Sequence, residues 1–297
     1  MIEVVNKPCF KPEDFDPIGK KPGITAILRL RNEQDYLEQA LNSILPFFDE
    51  FVVVYNQCSD RTPDIVERFA KQEPKRLKAY HYVPEVFPQG SAKHAMLAAN
   101  HVSSLVHYYN FALSKAAYVI RVKWDGDMIA APNPLRRIVD GLRSIKAGTL
   151  AWWQSPWKMG WWWCSGVNLW DHNGKIFVPK VRPRVYGKKD LGFWPAGRRN
   201  VFRHHPTYEV LNTRWLIKTY VGFAYFHLKG MKVDRGLAVY QLEKNPQSIF
   251  NVRKFDPRWA NPELMTFEDY CRIQPEAQSL PNPETLGIRP VRNCAGR

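Results

Sequence analysis

The chain has 297 residues and a formal net charge of +15, with 43 Lys and Arg against 28 Asp and Glu. A hydrophobic fraction of 45% and an aromatic fraction of 13% exclude a disordered or low-complexity protein. The positive charge favours an anionic partner, which is nucleic acid, an acidic membrane surface or a phosphorylated substrate. Five widely spaced Cys without a CxxC pair indicate reduced thiols rather than disulfides or zinc. No apolar run is long enough to span a bilayer and no signal peptide is evident, so a cytoplasmic location is predicted.

The first half of the chain predicts strands that alternate with helices. Strands are expected at 23–30, 50–55, 76–83 and 116–124, and helices within 32–48, 63–72 and 96–114. This alternation is typical of parallel βαβ crossovers, and therefore of an α/β sheet that is buried on both faces. In such sheets, ligands bind outside the carboxyl ends of the strands.

After a helix predicted at 132–148, the composition changes. The segment 150–170 contains most of the 11 Trp residues, and a hairpin is expected to turn at His172-Asn173-Gly174. A basic segment spans 182–205, an apolar stretch follows at 214–231, and a last helix is predicted within 262–273 before an extended tail.

The sequence "WDGDM" follows the fourth predicted strand. Two carboxylates separated by a glycine can present oxygens to one divalent cation, which would bridge a diphosphate. The alternative is an ordinary Asp-Gly turn between two strands. The position at the end of a strand in a βαβ series favours the metal site.

Three blocks of the sequence resemble the donor-binding half of a GT-A fold glycosyltransferase. These are "ITAILRLRNEQDYLEQALNSIL", "FVVVYNQCSDRTPDIVERFA" and "YYNFALSKAAYVIRVKWDGDM". In this order they are similar to family 2 enzymes that build bacterial surface polysaccharides. The resemblance implies a GT-A fold with a mostly parallel, Rossmann-like sheet. It divides the chain into a lead-in (1–22), a nucleotide-sugar-binding half (23–148), an acceptor-side half of the same domain (149–255) and a C-terminal helix and tail (256–297).

The resemblance also implies the donor site. Asp125 and Asp127 would hold Mn²⁺ or Mg²⁺, and Asp125 would also face the nucleotide. The other residues expected to line a UDP or GDP donor are Arg29, Asn32, Glu33, Tyr55, Asn56 and Asp60. Where the family has an acid after the second strand, this chain has Tyr55 and Asn56, which would stack on the base and hydrogen-bond to its edge.

A late histidine often completes the metal shell in this fold, and His227 is the candidate. Imidazole suits Mn²⁺ better than Mg²⁺. The alternative is a histidine at the edge of an aromatic core. His204 and His205 are further candidates, and they belong to a run with Arg198, Arg199 and Arg203 that would grip a diphosphate or form a solvated face.

Sugar transfer needs a base for the acceptor hydroxyl. The family's Glu-Asp pair is absent, which leaves Asp171, Asp190, Glu209 and Asp234 as candidates. Glu209 is preferred because it lies where the family's base-bearing segment falls. Asp171 begins the hairpin turn, where a structural role is expected.

The Trp-rich segment from Trp152 to Trp170 has three interpretations. Its rings pack in the core, line a glycan acceptor cleft, or dock on an anionic membrane beside a lipid-linked acceptor. In consecutive Trp161, Trp162 and Trp163, strand alternation sends at least one ring to the opposite face.

The sequence as a whole predicts an inverting, metal-dependent glycosyltransferase that acts on a glycan or glycolipid acceptor in bacterial capsule or lipopolysaccharide-type synthesis, peripheral to the inner face of the plasma membrane. A sugar-phosphate nucleotidyltransferase is the rival enzyme, but "LRLRNEQDY" lacks the glycine-rich loop expected after its first strand. A nucleic-acid-binding protein is the rival from another class. Its binding motifs are absent, and the acids cluster where a phosphate backbone would be repelled.

Overall fold

The computed structural model describes residues 2–87, 91–143, 160–180, 191–204, 209–212, 214, 216–232 and 263–291. Four residues singled out above lie outside these ranges: Trp152, Asp190, His205 and Asp234.

Thirteen strands and six α-helices are assigned within the described ranges. The strands are β1 Ile2–Val5, β2 Lys21–Leu30, β3 Glu50–Tyr55, β4 Leu77–Tyr82, β5 Tyr118–Trp124, β6 Met128–Ala130, β7 Gly160–His172, β8 Lys175–Pro179, β9 Leu191–Pro195, β10 Phe202–His204, β11 Glu209–Leu211, β12 Ile217–Gly230 and β13 Leu264–Met265. The helices are α1 Leu37–Ile44, α2 Thr62–Gln72, α3 Ala92–Met96, α4 Leu105–Ser114, α5 Pro132–Arg143 and α6 Phe267–Ile273.

One mixed sheet forms the centre of the molecule, with the order β1-β4-β3-β2-β5-β9-β7-β12-β6. The strands β1, β4, β3, β2 and β5 are parallel, which confirms the predicted βαβ half. The neighbours β9 and β6 run antiparallel to the strands that they pair with. The result is the mostly parallel α/β sheet of the GT-A class. All carboxyl ends of the parallel half lie at one edge, where β5 leads into Asp125.

The second half of the chain continues the same sheet. The apolar stretch at 214–231 is largely the strand β12, which pairs with β7 on one side and β6 on the other. Pairing with β6 places His227 opposite Met128. A segment more than ninety residues downstream of the two aspartates therefore lies directly beside them.

One detail differs from the sequence prediction. The helix expected over 96–114 begins only at Leu105, because the Ser104 side chain accepts a hydrogen bond from the backbone N–H of Val106 and caps α4 there. Within the lead-in, β1 pairs in parallel with β4 and adds a strand to the edge of the sheet. The hairpin turn at Asn173-Gly174 is confirmed, with φ of 56° and 75° at these two residues.

The described tryptophans of β7 alternate across the sheet as expected. Trp161 and Trp163 pack with the cluster that contains α4, whereas Trp162 packs with the opposite cluster beneath α1 and α5. The Trp161 ring lies against Gly192 of β9, where an added Cβ would meet its Nε1. Trp161, Trp162 and Trp194 are buried, so the core interpretation holds for these three rings.

A buried polar cluster stabilises the amino end of the sheet, away from the two aspartates. Glu50 is 3% exposed and accepts hydrogen bonds from the Thr25 hydroxyl and the Ala117 N–H, both at 2.7 Å. The Lys78 ammonium lies 2.6 Å from the same carboxylate. Arg121 is fully buried nearby, and burial lowers its pKa to about 9 although the charge of Glu50 opposes the shift.

Candidate active site

Asp125, Gly126 and Asp127 form a tight turn between β5 and β6. The indole N–H of Trp124 donates to the carbonyl of Met128 at 2.8 Å, and the Met128 N–H donates to the carbonyl of Asp125 at 3.2 Å. Both bonds hold the two carboxylates at the carboxyl edge of the sheet. This is the position that the strand pattern predicted.

Gly126 lets this turn approach the loop that follows β2. A Cβ added at Gly126 would lie 3.0 Å from the Cβ and Cγ of Glu33 and from a methyl of Leu30. The Cβ and Cγ of Glu33 lie close to its backbone, and the Leu30 methyl is packed in the core, so these atoms have little room to move. A methyl added at Gly126 would therefore displace Glu33 relative to Asp127.

If the site catalyses the sugar transfer that the sequence predicts, we expect Gly126→Ala to lower its rate about tenfold or more, because small displacements of a reacting group have large kinetic effects. The protein should still unfold cooperatively. Steady-state rates and thermal unfolding measured together test this expectation, with Gly141→Ala on α5 as the control because its Cβ would meet nothing within 4 Å. A fully active Gly126→Ala enzyme would show that the close packing against Glu33 is unimportant.

Asp127 is buried, with a side chain 4% exposed, and two cationic or potentially cationic groups face it. The Lys232 ammonium lies 2.8 Å from Oδ2, and His227 Nε2 lies 3.4 Å from Oδ1. The Leu228 N–H donates to the Asp127 carbonyl at 2.9 Å, which fixes β12 against the turn. Burial alone would raise the pKa of Asp127, but His227 and Lys232 reverse the effect and hold it well below the usual range.

Glu33 shares Lys232 with Asp127. Its two carboxylate oxygens lie 3.1 and 3.3 Å from the Lys232 ammonium. Burial raises the pKa of Glu33 and the charge of Asp127 raises it further, while Lys232 acts in the opposite direction. Burial by itself would lower the pKa of Lys232. The charges of Asp127 and Glu33 outweigh this effect, so the pKa of Lys232 is raised.

Asp125 faces a second pair of cations. Lys123 Nζ lies 3.3 Å from one of its oxygens and Arg29 Nη2 lies 3.6 Å from the other. The Arg29 guanidinium is held 3.5 Å from the centroid of the Tyr109 ring, which is a cation–π arrangement. Its Nε and Nη1 atoms are buried without a hydrogen-bond partner. Arg29 therefore lies beside the aspartate pair, and its expected contact with a nucleotide stays a prediction.

The predicted nucleotide-side residues lie on two loops that are tied to each other. The Ser59 N–H donates to the Asn32 side chain at 2.8 Å, and Asn32 adopts a φ of 55°. Asp60 accepts from the backbone N–H of Gln34 and of Thr62. Asn32 and Asp60 therefore shape the loops after β2 and β3, and their expected contacts with a nucleotide stay predictions.

Tyr55 and Asn56 end the strand β3. The Tyr55 ring stacks on His81 with centroids 4.8 Å apart and an interplanar angle of 9°. The Asn56 amide donates to the carbonyls of Tyr82 and Pro84, both at 2.7 Å. The side-chain NH₂ group of Asn56 is therefore already hydrogen-bonded to the end of β4 and the segment that follows it. A nucleotide base would hydrogen-bond to this group only after that segment moved.

The two candidate bases lie on different hairpins. The Asp171 carboxylate accepts the Gly174 N–H at 2.9 Å, which is the turn role expected for it. It also lines a cleft of about 1020 Å³ together with Lys175, Glu284 and Arg289. Glu209 begins β11, which pairs with β10, and the structure describes only its backbone. Which of these residues acts as base stays a prediction.

The hairpin β10–β11 lies close to the aspartates through Phe202. The side chain of Asn110 on α4 makes two hydrogen bonds to the backbone of Phe202. Its Nδ2 donates to the Phe202 carbonyl at 3.0 Å, and its Oδ1 accepts from the Phe202 N–H at 2.9 Å. The Arg29 guanidinium carbon lies 5.6 Å from the Phe202 ring centroid. The hairpin is therefore anchored next to Arg29 through Phe202 of β10.

One residue of the basic run before this hairpin, Arg198, pairs with acids of the N-terminal segment. Arg198 makes two hydrogen bonds of 2.7 Å to the Asp16 carboxylate and also pairs with Glu13. It ties the segment before β10 to the N-terminal segment, and the expected contact of this run with a diphosphate stays a prediction.

The sequence analysis missed Lys232 and Lys123. Lys123 was part of the strand that ends in the aspartates, and a side chain two residues before Asp125 shares its face of a strand. Lys232 had no local signal other than its place five residues after His227. Its role depends on how β12 is placed.

The residues around Asp127 fit a divalent cation in their chemistry. Over the described residues, no three His, Cys, Asp or Glu side chains converge to form a complete metal site. Asp127 and His227 nevertheless supply a carboxylate oxygen and an imidazole nitrogen within 3.4 Å of each other, a donor pair that suits Mn²⁺. Such a site would be completed by water and by phosphate oxygens.

The mostly parallel α/β sheet, with paired aspartates at its carboxyl edge and a histidine facing one of them, is similar to the sheet of GT-A glycosyltransferases. Residues 13–131 match the family model described as "Beta-1,4-N-acetylgalactosaminyltransferase (CgtA)". This segment is about two-fifths of the chain and contains Arg29, Glu33 and both aspartates. No curated protein sequence matches the chain.

Solved structures with partial similarity are also glycosyltransferases. Residues 1–349 of S. aureus TarS in complex with UDP are 13% identical, with 69% of this chain and 60% of that chain covered and a TM-score of 0.42. The mannosyltransferase PcManGT from Pyrobaculum calidifontis, in complex with GDP-Man and Mn²⁺, is 15% identical, with coverages of 77% and 63% and a TM-score of 0.44. Glucosyl-3-phosphoglycerate synthase from Mycobacterium tuberculosis, bound to Mn²⁺, UDP and glucosyl-3-phosphoglycerate, is 16% identical, with coverages of 81% and 82% and a TM-score of 0.41. This chain covers less than two thirds of the TarS and PcManGT structures.

Proposed function

We propose that this protein transfers an N-acetylhexosamine from a UDP-sugar donor to a glycan or glycolipid acceptor, with the help of a divalent cation and with inversion at the anomeric carbon. The contact of Asp127 with His227 at the carboxyl edge of the sheet carries this proposal. The family description supports N-acetylgalactosamine as the sugar. The biological setting that we propose is bacterial capsule or lipopolysaccharide-type synthesis.

The reaction breaks the bond between the anomeric carbon and the diphosphate and forms a bond to the acceptor oxygen. Asp127 and His227 would hold the cation, which neutralises charge on the leaving diphosphate. Arg29 and Lys123 add fixed positive charge beside Asp125. A carboxylate base, Glu209 in our assignment, takes the proton of the acceptor hydroxyl.

The cleft at Asp171 is the proposed acceptor side. Tyr36 links it to the aspartate site, because its hydroxyl donates to the carbonyls of both Met231 and Arg289. Arg289 lines the cleft, and Met231 immediately precedes Lys232. An acceptor bound there would lie next to the group of residues that surrounds Asp127.

A donor screen tests the proposed function. The enzyme is incubated with UDP-N-acetylgalactosamine, UDP-N-acetylglucosamine, UDP-galactose, UDP-glucose and GDP-mannose, each with Mn²⁺ or with EDTA, and release of nucleoside diphosphate is measured. We expect release from UDP-N-acetylgalactosamine that requires the cation. Release with EDTA at the same rate would contradict the metal-dependent mechanism, and no release from any donor would contradict sugar transfer. The anomeric configuration of the product, read by NMR, tests inversion.

Association with membranes is a further part of the proposal. Over the described residues, no helix is both long and apolar enough to cross a bilayer. The net charge of +15 supports reversible adsorption to anionic lipid near a lipid-linked acceptor. We expect the protein to float with phosphatidylglycerol vesicles at low salt and to dissociate as the salt concentration rises. Failure to float at low salt, or equal binding to neutral vesicles, would refute this part.

A further inference from the structure

Lys232 occupies the space between two carboxylates of the candidate active site, of which Asp127 is buried and Glu33 is 15% exposed. Its ammonium lies 2.8 Å from Asp127 and 3.1 Å from Glu33, with a side chain that is 26% exposed. The two acids belong to different loops, Glu33 after β2 and Asp127 after β5, and both contact this lysine. Of the described lysines, it alone pairs with two acidic side chains at once.

A cation is needed at this place whether or not a metal is bound. Two carboxylates that approach the same point repel each other, and burial strengthens the repulsion because less solvent screens it. The lysine ammonium removes this repulsion. The ammonium of Lys232 contacts the carboxylate of Asp127. The same carboxylate and the imidazole of His227 are the best pair of ligands for a divalent cation at this site.

We propose that Lys232 is a resident counter-ion that a divalent cation must displace from Asp127. This inference rests on the proposed metal-dependent function and adds a residue that sets how the cation is taken up. Without donor, the lysine keeps Asp127 and Glu33 paired and lowers the affinity for the cation. When a nucleoside diphosphate arrives, its oxygens add ligands to the cation and draw the lysine away by offering it a new anionic partner.

The exposed fraction of Lys232 makes such an exchange feasible. The ammonium is joined to a flexible four-carbon side chain, so it can move to solvent without a change in the backbone of β12. Glu33 stays behind as a carboxylate that faces the cation. By contrast, Arg29 cannot leave Asp125 so easily, because its side chain is 3% exposed and its guanidinium packs on Tyr109.

Binding of Mn²⁺ alone, followed by electron paramagnetic resonance of the free ion, tests the inference. The neutral variants Lys232→Met and Lys232→Gln should bind Mn²⁺ at least about tenfold more tightly than the wild type when nucleotide is absent, because a competing charge has been removed. Lys232→Arg keeps the charge and should bind like the wild type. Lys78→Met removes the lysine of the Glu50 pair at the other end of the sheet and serves as the control.

Thermal unfolding gives a second readout. In EDTA, Lys232→Met and Lys232→Gln should melt below the wild type because Glu33 loses its cation and Asp127 keeps only His227, and Mn²⁺ should restore most of the loss. Lys78→Met should also melt lower, but Mn²⁺ should not restore it. The pattern of restoration separates a counter-ion at the metal site from a lysine that only stabilises the fold.

The outcomes distinguish the inference from the function on which it rests. Suppose that the wild type binds Mn²⁺ in the presence of UDP. If, in the absence of UDP, the neutral variants then bind Mn²⁺ no more tightly than the wild type does, Lys232 does not compete with the cation and the inference is wrong. If none of the proteins binds Mn²⁺ with or without UDP, the proposed metal-dependent function fails, and the inference fails with it. Tighter binding by both neutral variants, with wild-type binding by Lys232→Arg, supports the exchange.

Discussion

Asp127→Asn should reduce sugar transfer by about 10³-fold or more, since charge stabilisation by a bound cation is worth several kcal/mol. The amide keeps the shape of the side chain but lacks the negative charge that faces His227 and Lys232. Measuring nucleoside diphosphate release with UDP-N-acetylgalactosamine and Mn²⁺ checks the effect. Asp140→Asn, an exposed acid on α5, is the control and should retain full activity.

Removal of the Asp127 charge should also lower stability, because this carboxylate is buried and paired with Lys232. Loss of its charge leaves Lys232 with Glu33 as its remaining acid. We expect a decrease in the free energy of unfolding of roughly 1–3 kcal/mol. An Asp127→Asn enzyme with near-normal turnover on every donor would exclude Asp127 as a metal ligand.

Glu209→Gln is expected to slow transfer by about 10²–10⁴-fold while donor and Mn²⁺ binding stay nearly unchanged, which is the contribution of a positioned base. The glutamine keeps the length and hydrogen-bonding reach of the side chain but does not accept the proton. Single-turnover rates, measured beside UDP affinity, separate the chemical step from binding. The hairpin that carries Glu209 is anchored by Asn110 next to Arg29, which supports this assignment.

Asp171→Asn is the matched comparison for this experiment. Asp171 accepts a turn hydrogen bond from Gly174, and asparagine preserves that bond, so we expect a stable and largely active enzyme. A dead Asp171→Asn enzyme that still binds UDP, beside a fully active Glu209→Gln enzyme, would transfer the role of base to Asp171. If both variants are active, then the base is Asp190, Asp234 or another residue, or the enzyme retains configuration.

The donor half could be predicted because its signals are local. β-branched runs such as "FVVVY" and the helical spacing of Leu37, Leu41 and Ile44 depend on residues a few positions apart. The predicted strand at 50–55 matches β3, and α1 lies within the predicted helical segment 32–48. The position of Asp125 and Asp127 follows from the end of a strand. The helix before β5 was predicted too long, because its composition is helical throughout and only the Ser104 cap decides where α4 begins.

Side-chain roles were less predictable where one residue type serves two purposes. Asn56 and Asp60 have the polar groups that suit a nucleotide, yet both hold backbone groups of nearby loops in the structure. The difference depends on which N–H and carbonyl groups come within reach. That is a property of the packed loops, which a one-dimensional pattern does not contain.

The sequence by itself determined the alternation of strands and helices, the class of fold and the place of the two aspartates, because apolar periodicity and turn residues act over short distances along the chain. Only the tertiary structure decided what surrounds Asp127. His227 and Lys232 lie about a hundred residues further on, and they reach this carboxylate because β12 pairs with β6 in one particular register. Register between distant strands is set by the packing of the whole sheet, so neither the histidine contact nor the shared lysine could be derived from spacing alone.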